Sequence, residues 1–405
     1  MYKLLFLTVF ISAFSFGQGF QVNLQGQQQQ GMGAAGSALM QDASSLFFNP
    51  GGASFVHGNQ VNLGMTPTIA NGTFLEKNTN EMARTTSPVG TPFFAYGLFQ
   101  IKDSSRLKLG IAFYTPFGST VEWEEEWSGR FALTRLQLLS IFCQPTVSFR
   151  LSDRIGIGAG FVYSYGKVNL QKDIPLMDQN NEFASAELDG TSHGYGYNVG
   201  LYIEPTDHVG FAVTYRSQVN MELSQGTATF NVPASIEDKF PSGNFTSSLP
   251  LPQVFTLGLS IKPNKKLAIA LDVNYVGWKA YDTLAFDYEN NTETLVDTKS
   301  PRNYENIIAV RIGGQYKFKH GITGRIGFAF GISPIQKGYV TPESSGNNRV
   351  NYTAGIGYKL SEKFILDASI LYTQVSREDT NLETGLSGTY KTSAFAPGLS
   401  LTYKF

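Results

Sequence analysis

The sequence predicts an all-β protein: a 14-stranded antiparallel transmembrane β-barrel with an N-terminal hatch (plug) in its lumen. Three observations predict it. The first is composition. Charged residues make up 16 % of the 405 residues, aromatics 13 %, and 42 positions are glycine, against about 25 % charge and about 7 % glycine in ordinary soluble domains. A mean hydropathy of -0.12 is too polar for a helical membrane bundle, which needs several runs of about 20 apolar residues. The second is a period of two, which sends successive side chains to opposite faces of a sheet. In RIGIGAGFVYSYG, Ile155, Ile157, Phe161, Tyr163 and Tyr165 share one parity, and Gly156, Gly158, Gly160 and Ser164 the other. The third is the alternation of short and long connections, which a soluble sandwich has no reason to keep and outer-membrane barrels do.

Taken in order, residues 1–17, MYKLLFLTVFISAFSFG, place Lys3 before a short apolar run ending in small residues. This reads as a secretory signal peptide cleaved after Gly17. Its roughly 14 apolar residues are too few to span a bilayer, and no cysteine near the cleavage point marks a lipoprotein. Residues 18–57 follow, rich in Gly and Gln, with four consecutive glutamines and no sustained alternation. Wide barrels are often plugged, so this segment is expected inside the lumen. Residues 58–405 form the barrel.

Fourteen candidate strands run from about 60–69 to about 390–405, and six connections are short and polar: 102–106, 151–154, 204–208, 262–266, 317–321 and 359–363. These are read as periplasmic turns. The alternate connections, about 13–27 residues long, are read as outer loops. Parity assigns Ile157, Phe161, Leu257, Leu259, Leu271, Ile312, Phe328, Ile356 and Leu401 to the lipid face. The last strand alternates Phe395, Leu399, Leu401, Tyr403 and Phe405 and ends the chain on an aromatic. Closure requires it to pair with the first strand, so that no open edge meets lipid. Outer-membrane lipids and, during biogenesis, the outer-membrane assembly machinery are the implied partners.

Charge and motifs exclude several functions. Net charge is -1, from 31 basic and 32 acidic residues, which leaves no basic footprint for nucleic acid. A single cysteine, Cys143, excludes an intramolecular disulfide and multi-cysteine metal sites. His57, His193, His208 and His320 are scattered without metal spacing, and no nucleophile elbow or phosphate loop appears. No enzyme activity, metal or cofactor is expected, and the barrel is read as a monomer. Glu122, Glu124, Glu125 and Glu126 surround Trp123 and Trp127. That stretch is read as an outer loop at the lipid headgroups, where Trp is favoured.

The pieces GFQVN (19–23), GMGAAGSALMQDASSLFFNPGGAS (31–54), YTPFGSTVEW (114–123), WSGRF (127–131), QPTVSFRLSDRIGIGAGFVYSYG (144–166), LPLPQVFTLGLSIKPNKKLAIALDVNYVGW (249–278) and RIGFAFGISPIQKGYVTPES (325–344) resemble, in order, the FadL/TodX family. Members are outer-membrane transporters of long-chain fatty acids and other hydrophobic compounds. The resemblance implies a passive transporter of a Gram-negative outer membrane, with a lateral exit at a kinked third strand and a hatch bearing Asn49, Pro50 and Gly51. The family often has Ala at the third of these positions, and Gly loosens that backbone. In the third strand, Gly110 lies inside, and Tyr114, Pro116, Phe117 and Gly118 mark the outer end. Pro cannot donate to a ladder and Gly weakens a strand.

The 224–249 connection carries Phe230, Val232, Ile236, Phe240 and Phe245, more apolar residues than a solvated loop needs. The resemblance makes it a ligand-capture loop. Parity also points Arg216, Arg311, Arg325, Asp272 and Asp367 inward. Arg suits a carboxylate because its planar fork bonds both oxygens, so Arg216 and Arg311 are the candidate anchors for an acid. Asp272 and Arg311 are expected to pair. Some FadL-like barrels instead shuttle exported proteins in type IX secretion, and that is the alternative reading.

Overall fold

The computed structural model describes residues 19–102 and 105–405; the expected signal peptide lies outside the described residues. Fourteen strands close into one antiparallel barrel. Several are interrupted part-way and resume in the same course. In chain order they are Gln60–Met65 with Ile69–Glu76, Met82–Arg84 with Phe93–Gln100, Leu107–Tyr114 with Gly118–Glu122, Arg135–Arg150, Ile155–Met177, Phe183–Thr206 and Val209–Arg216 with Val219–Asn231. There follow Gly243–Leu251 with Val254–Ile261, Leu267–Val276 with Thr283–Tyr288, Thr298–Pro301 with Ile307–Lys317, Ile322–Gly331, Arg349–Lys359, Phe364–Thr380 and Ser387–Lys404. Each pairs with its sequence neighbour, and the first also pairs with the last, from Gln60↔Lys404 to Met65↔Leu399. The chain end is tied into that seam, where the Phe405 amide donates to the Asn59 carbonyl at 3.1 Å. Closure joins the first and last strands into one ring, as a bilayer demands.

Side-chain parity follows the pleat. Ile157, Phe161, Leu257, Ile312, Phe328, Ile356 and Leu401 are exposed on the outer face, and Leu259 and Leu271, of the same parity, are partly so. Their neighbours Ser260, Asp272 and Ser400 are buried within. In a membrane protein the exposed row faces lipid.

The strands run further than the sequence predicts. Ile155–Met177 and Phe183–Thr206 leave only residues 178–182 between them. Most of the 224–249 loop is also strand, interrupted by a 3-10 turn at Ala234–Lys239. Beyond the bilayer the alternation changes sign. Lys167, Asn169 and Gln171 continue the outer row of Phe161 and Tyr165, while Val168 and Leu170 face inward. Polar residues outside and apolar ones inside suit a wall standing in water.

The core lies inside the barrel. Residues 23–56 are almost wholly buried and form two single-turn helices, Gln27–Gln30 and Ser45–Phe48, and a 3-10 turn, Gly52–Phe55. Short helices do not persist alone, and these are held by the wall. Gln28 donates to Asp367 at 2.9 Å and Gln30 to the Ala396 carbonyl at 3.2 Å. The Gly33 amide donates to Thr353 at 2.8 Å, and the Ser54 amide to Ser148 at 2.9 Å. Thr353, Asp367 and Ala396 sit on three adjacent strands, and Ser148 on the fourth strand, away from them.

Candidate functional site

The third strand breaks in its upper half. It pairs regularly with the second strand from Gln100↔Lys108 to Phe94↔Tyr114, and the next bridge outward is Thr85↔Trp123. Among the described residues, no backbone bond joins 88–92 to 116–121. Pro88, Pro92 and Pro116 flank this gap and carry no N–H to donate. On its other side the third strand stays attached, with a bulge. Tyr114 faces Phe142 and Gly118 faces Leu139, so four steps on one strand match three on the other.

The freed backbone turns to the N-terminal segment instead. Val22 N–H donates to the Pro116 carbonyl at 2.8 Å, and Gly118 N–H to the Phe20 carbonyl at 3.2 Å, around a Gln21↔Phe117 bridge. The interruption is therefore an inward bend between Tyr114 and Gly118. Gly110 plays no part in it: it pairs regularly with Leu98 and Thr146, and a Cβ there would overlap Leu46.

Above the bend lies a chamber of about 810 Å³, counting the open solvent at its mouth, and lined mostly by apolar side chains, as small-molecule sites are. Phe20 floors it, Ser119 borders it from the bent strand, and Leu136, Leu170, Leu249 and Phe286 supply apolar wall. Phe20 packs edge-on against Trp278 at 4.8 Å and Tyr281 at 5.7 Å between ring centroids. Tyr304, which packs on Tyr281 at 5.0 Å, and Glu343 close the far side. Glu343 is paired with Arg302 at 3.4 Å, and Arg302 also donates to Ser300 at 2.5 Å.

A second cavity, lined mostly by polar side chains, lies between the wall and the N-terminal segment. Gln21 and Asn23 line it, with Arg216, Arg311 and Asp272; Phe20 faces the chamber. Arg216 donates to the Phe47 carbonyl at 2.8 Å and lies 3.8 Å over the Phe47 ring. Arg311 donates to Asn23 at 2.8 Å. Asp272 stands opposite Arg311 in register, yet the expected pairing does not form: Asp272 accepts from the Gly36 amide at 2.9 Å and the Ser37 hydroxyl at 2.6 Å. The buried inward ion pair is Arg325 with Asp367, at 2.7 Å.

Asn49 is fully buried and uses both ends of its amide. Its nitrogen donates to the Ser37 carbonyl at 2.9 Å and to the Leu201 carbonyl at 3.2 Å, while its oxygen accepts from the Gly51 amide at 3.0 Å. Gly51 sits against the Gly200 and Gly156 carbonyls, where a Cβ would overlap the former. Its glycine is required by close approach, not by looseness. The Pro50 carbonyl likewise lies on Gly158.

Two expectations are corrected. Trp123 and Trp127 do not lie among lipid headgroups. Both are buried and stacked at 4.3 Å, with Phe74 and Tyr390 against them, because the bend and the following turn fold this stretch inward. The five apolar residues of the 224–249 stretch do not border the chamber. Phe230, Phe240 and Phe245 pack together with Tyr288 and Leu295, and Val232 and Ile236 sit on the turn between the two strands. Their neighbours Leu223, Leu249 and Phe286 do line it. Sequence reasoning missed the chamber because its lining comes from many strands. The one readable signal was the inverted parity at Val168 and Leu170. Among the described residues, no group of His, Cys, Asp and Glu is placed to hold a metal ion.

The model of the outer membrane protein transport family (OMPP1/FadL/TodX) matches residues 8–405. The chain is 25 % identical over 462 aligned positions to the Neisseria meningitidis outer membrane protein NMB0088, covering 99 % of this chain and 98 % of that protein. It is 21 % identical to the Escherichia coli long-chain fatty acid transport protein, covering 89 % of each. The crystal structure of a Pseudomonas aeruginosa FadL homologue superposes with a TM-score of 0.84 at 18 % identity, covering 96 % of this chain and all of that one.

Proposed function

The chain belongs to the OMPP1/FadL/TodX family of outer-membrane transport proteins, and from that premise we propose that it takes up long-chain fatty acids or similar hydrophobic molecules and releases them sideways into the membrane. The carrying observation is that Ser119 belongs both to the chamber wall and to the stretch of the third strand that has left its neighbour. A ligand in the chamber therefore stands beside the one interruption between the second and third strands. Hydrophobic transfer favours such a route, since each buried CH₂ is worth about 0.8 kcal/mol and an aqueous passage would forfeit it.

In this reading residues 18–57 act as the hatch that keeps the barrel closed to water. Arg216 and Arg311 act first as its fastenings, through Phe47 and Asn23. Their guanidinium groups become available to a ligand carboxylate only if that segment shifts. The alternative of a protein shuttle has no support among the relatives.

The test is to fill the chamber. Leu249→Trp removes volume from a residue that faces it and lies away from the hatch. Cells carrying this variant should take up labelled oleyl alcohol several-fold more slowly than wild type at equal barrel abundance. Unchanged uptake would remove the chamber from the pathway.

A further inference from the structure

We infer that the chamber selects uncharged hydrophobic molecules, with at most a hydroxyl or carbonyl as polar group, over ionised carboxylates. This rests on the uptake reading above and narrows its substrate. Aliphatic and aromatic side chains line the chamber, and its polar atoms are hydroxyls and one carboxylate. No Lys, Arg or His is among the lining residues. The carboxylate belongs to Glu343, whose charge is matched by Arg302 behind it at 3.4 Å. Arg302 also donates to Ser300 and is not itself among the side chains that line the chamber.

The other inward arginines, Arg216 and Arg311, border the separate polar cavity, and both are bonded to the N-terminal segment. An acid lodged in the chamber would bury its charge with no cation among the lining side chains and close to the Glu343 carboxylate. Burying an unpaired charge is costly, and like charges add to that cost. A hydroxyl or carbonyl meets no such penalty. Ser119 and Ser192 offer hydroxyls on the wall, able to donate or accept. Ser344 and Tyr304 bond each other at 2.6 Å.

The experiment compares two ten-carbon probes, one neutral and one charged. Radiolabelled decanol and decanoate are equilibrated at pH 8 by dialysis against the full barrel in lipid nanodiscs, with empty nanodiscs subtracted. Decanol is expected to bind at least tenfold more tightly than decanoate, and Leu249→Trp to weaken it. Ser192→Lys, which places a cation on the wall, should raise decanoate affinity at least tenfold. Should that variant fail to fold, Glu343→Gln should raise decanoate affinity several-fold by removing the opposing charge. Decanoate binding as tightly as decanol, and displaced by Leu249→Trp, would overturn the neutral selectivity and leave the uptake reading standing. Absence of chamber-dependent binding by either probe would overturn both.

Discussion

Gly156, Gly158 and Gly200 share the inward parity of their strands, and each is approached by the Asn49–Gly51 segment so closely that a Cβ would overlap it. The missing side chains make the seat on which that segment rests. Gly158→Val should push Pro50 from the wall and loosen the segment, read as raised ion conductance of the purified barrel in planar bilayers. Gly346→Ala, at a position with open space around it, should leave conductance unchanged. On the opposite face the physics is that of lipid. Leu257, 49 % exposed on the outer wall, should lose about 2–4 kcal/mol of folding stability when changed to Arg. Thr256, one residue away and facing the polar cavity, should lose less. Folding titrations into liposomes compare the two, and equal losses would contradict the assignment of faces. At the periplasmic turns, Asp207 is held below the usual carboxylate range by its hydrogen bond from Arg154 at 2.6 Å. Both side chains are well exposed, so little stability rests on this pair.

Among the elements, the third strand is the one that loses its pairing with the second in its upper half. Its backbone amides beyond Tyr114 exchange a wall partner for the N-terminal segment, where Gly118 N–H reaches Phe20. Such a bond opens whenever the segment moves, without unfolding the barrel. Hydrogen exchange should therefore be faster at Val22 and Gly118 than at Ala112, which lies in the unbroken ladder opposite Tyr96 and Gln144. Equal protection would mean that the bend is as rigid as the wall. Much of this element was legible beforehand, because Pro116 and Gly118 declare a ladder that cannot continue. Gly110 misled, since its glycine serves Leu46 and not the bend. The outer hairpins were misread as loops for a related reason. Above the bilayer, Asn169, Gln171, Glu187 and Asp189 take the outer face, and a search for apolar residues facing lipid stops where the strands do not. Trp123 and Trp127 escaped because parity gives no direction once a strand has bent.

For the whole molecule, strand count and closure followed from short polar turns and a period of two, both local properties of the sequence. The chamber and the polar cavity did not, because strands distant in the chain meet there and no single segment carries their signature. What joins them is the break between the second and third strands, beside the chamber and against Phe20. The most direct test locks that break. Val89 and Ser119 would face each other if the ladder of Phe94↔Tyr114 continued outward. In a Cys143→Ser background, Val89→Cys with Ser119→Cys should allow a disulfide only when the third strand lies back against the second. Disulfides require Cα atoms within about 7 Å, so its formation also reports that the strand can straighten. Oxidised cells should lose most uptake of labelled oleate and oleyl alcohol, and reductant should restore it. Undiminished uptake by a folded, fully cross-linked barrel would contradict lateral release.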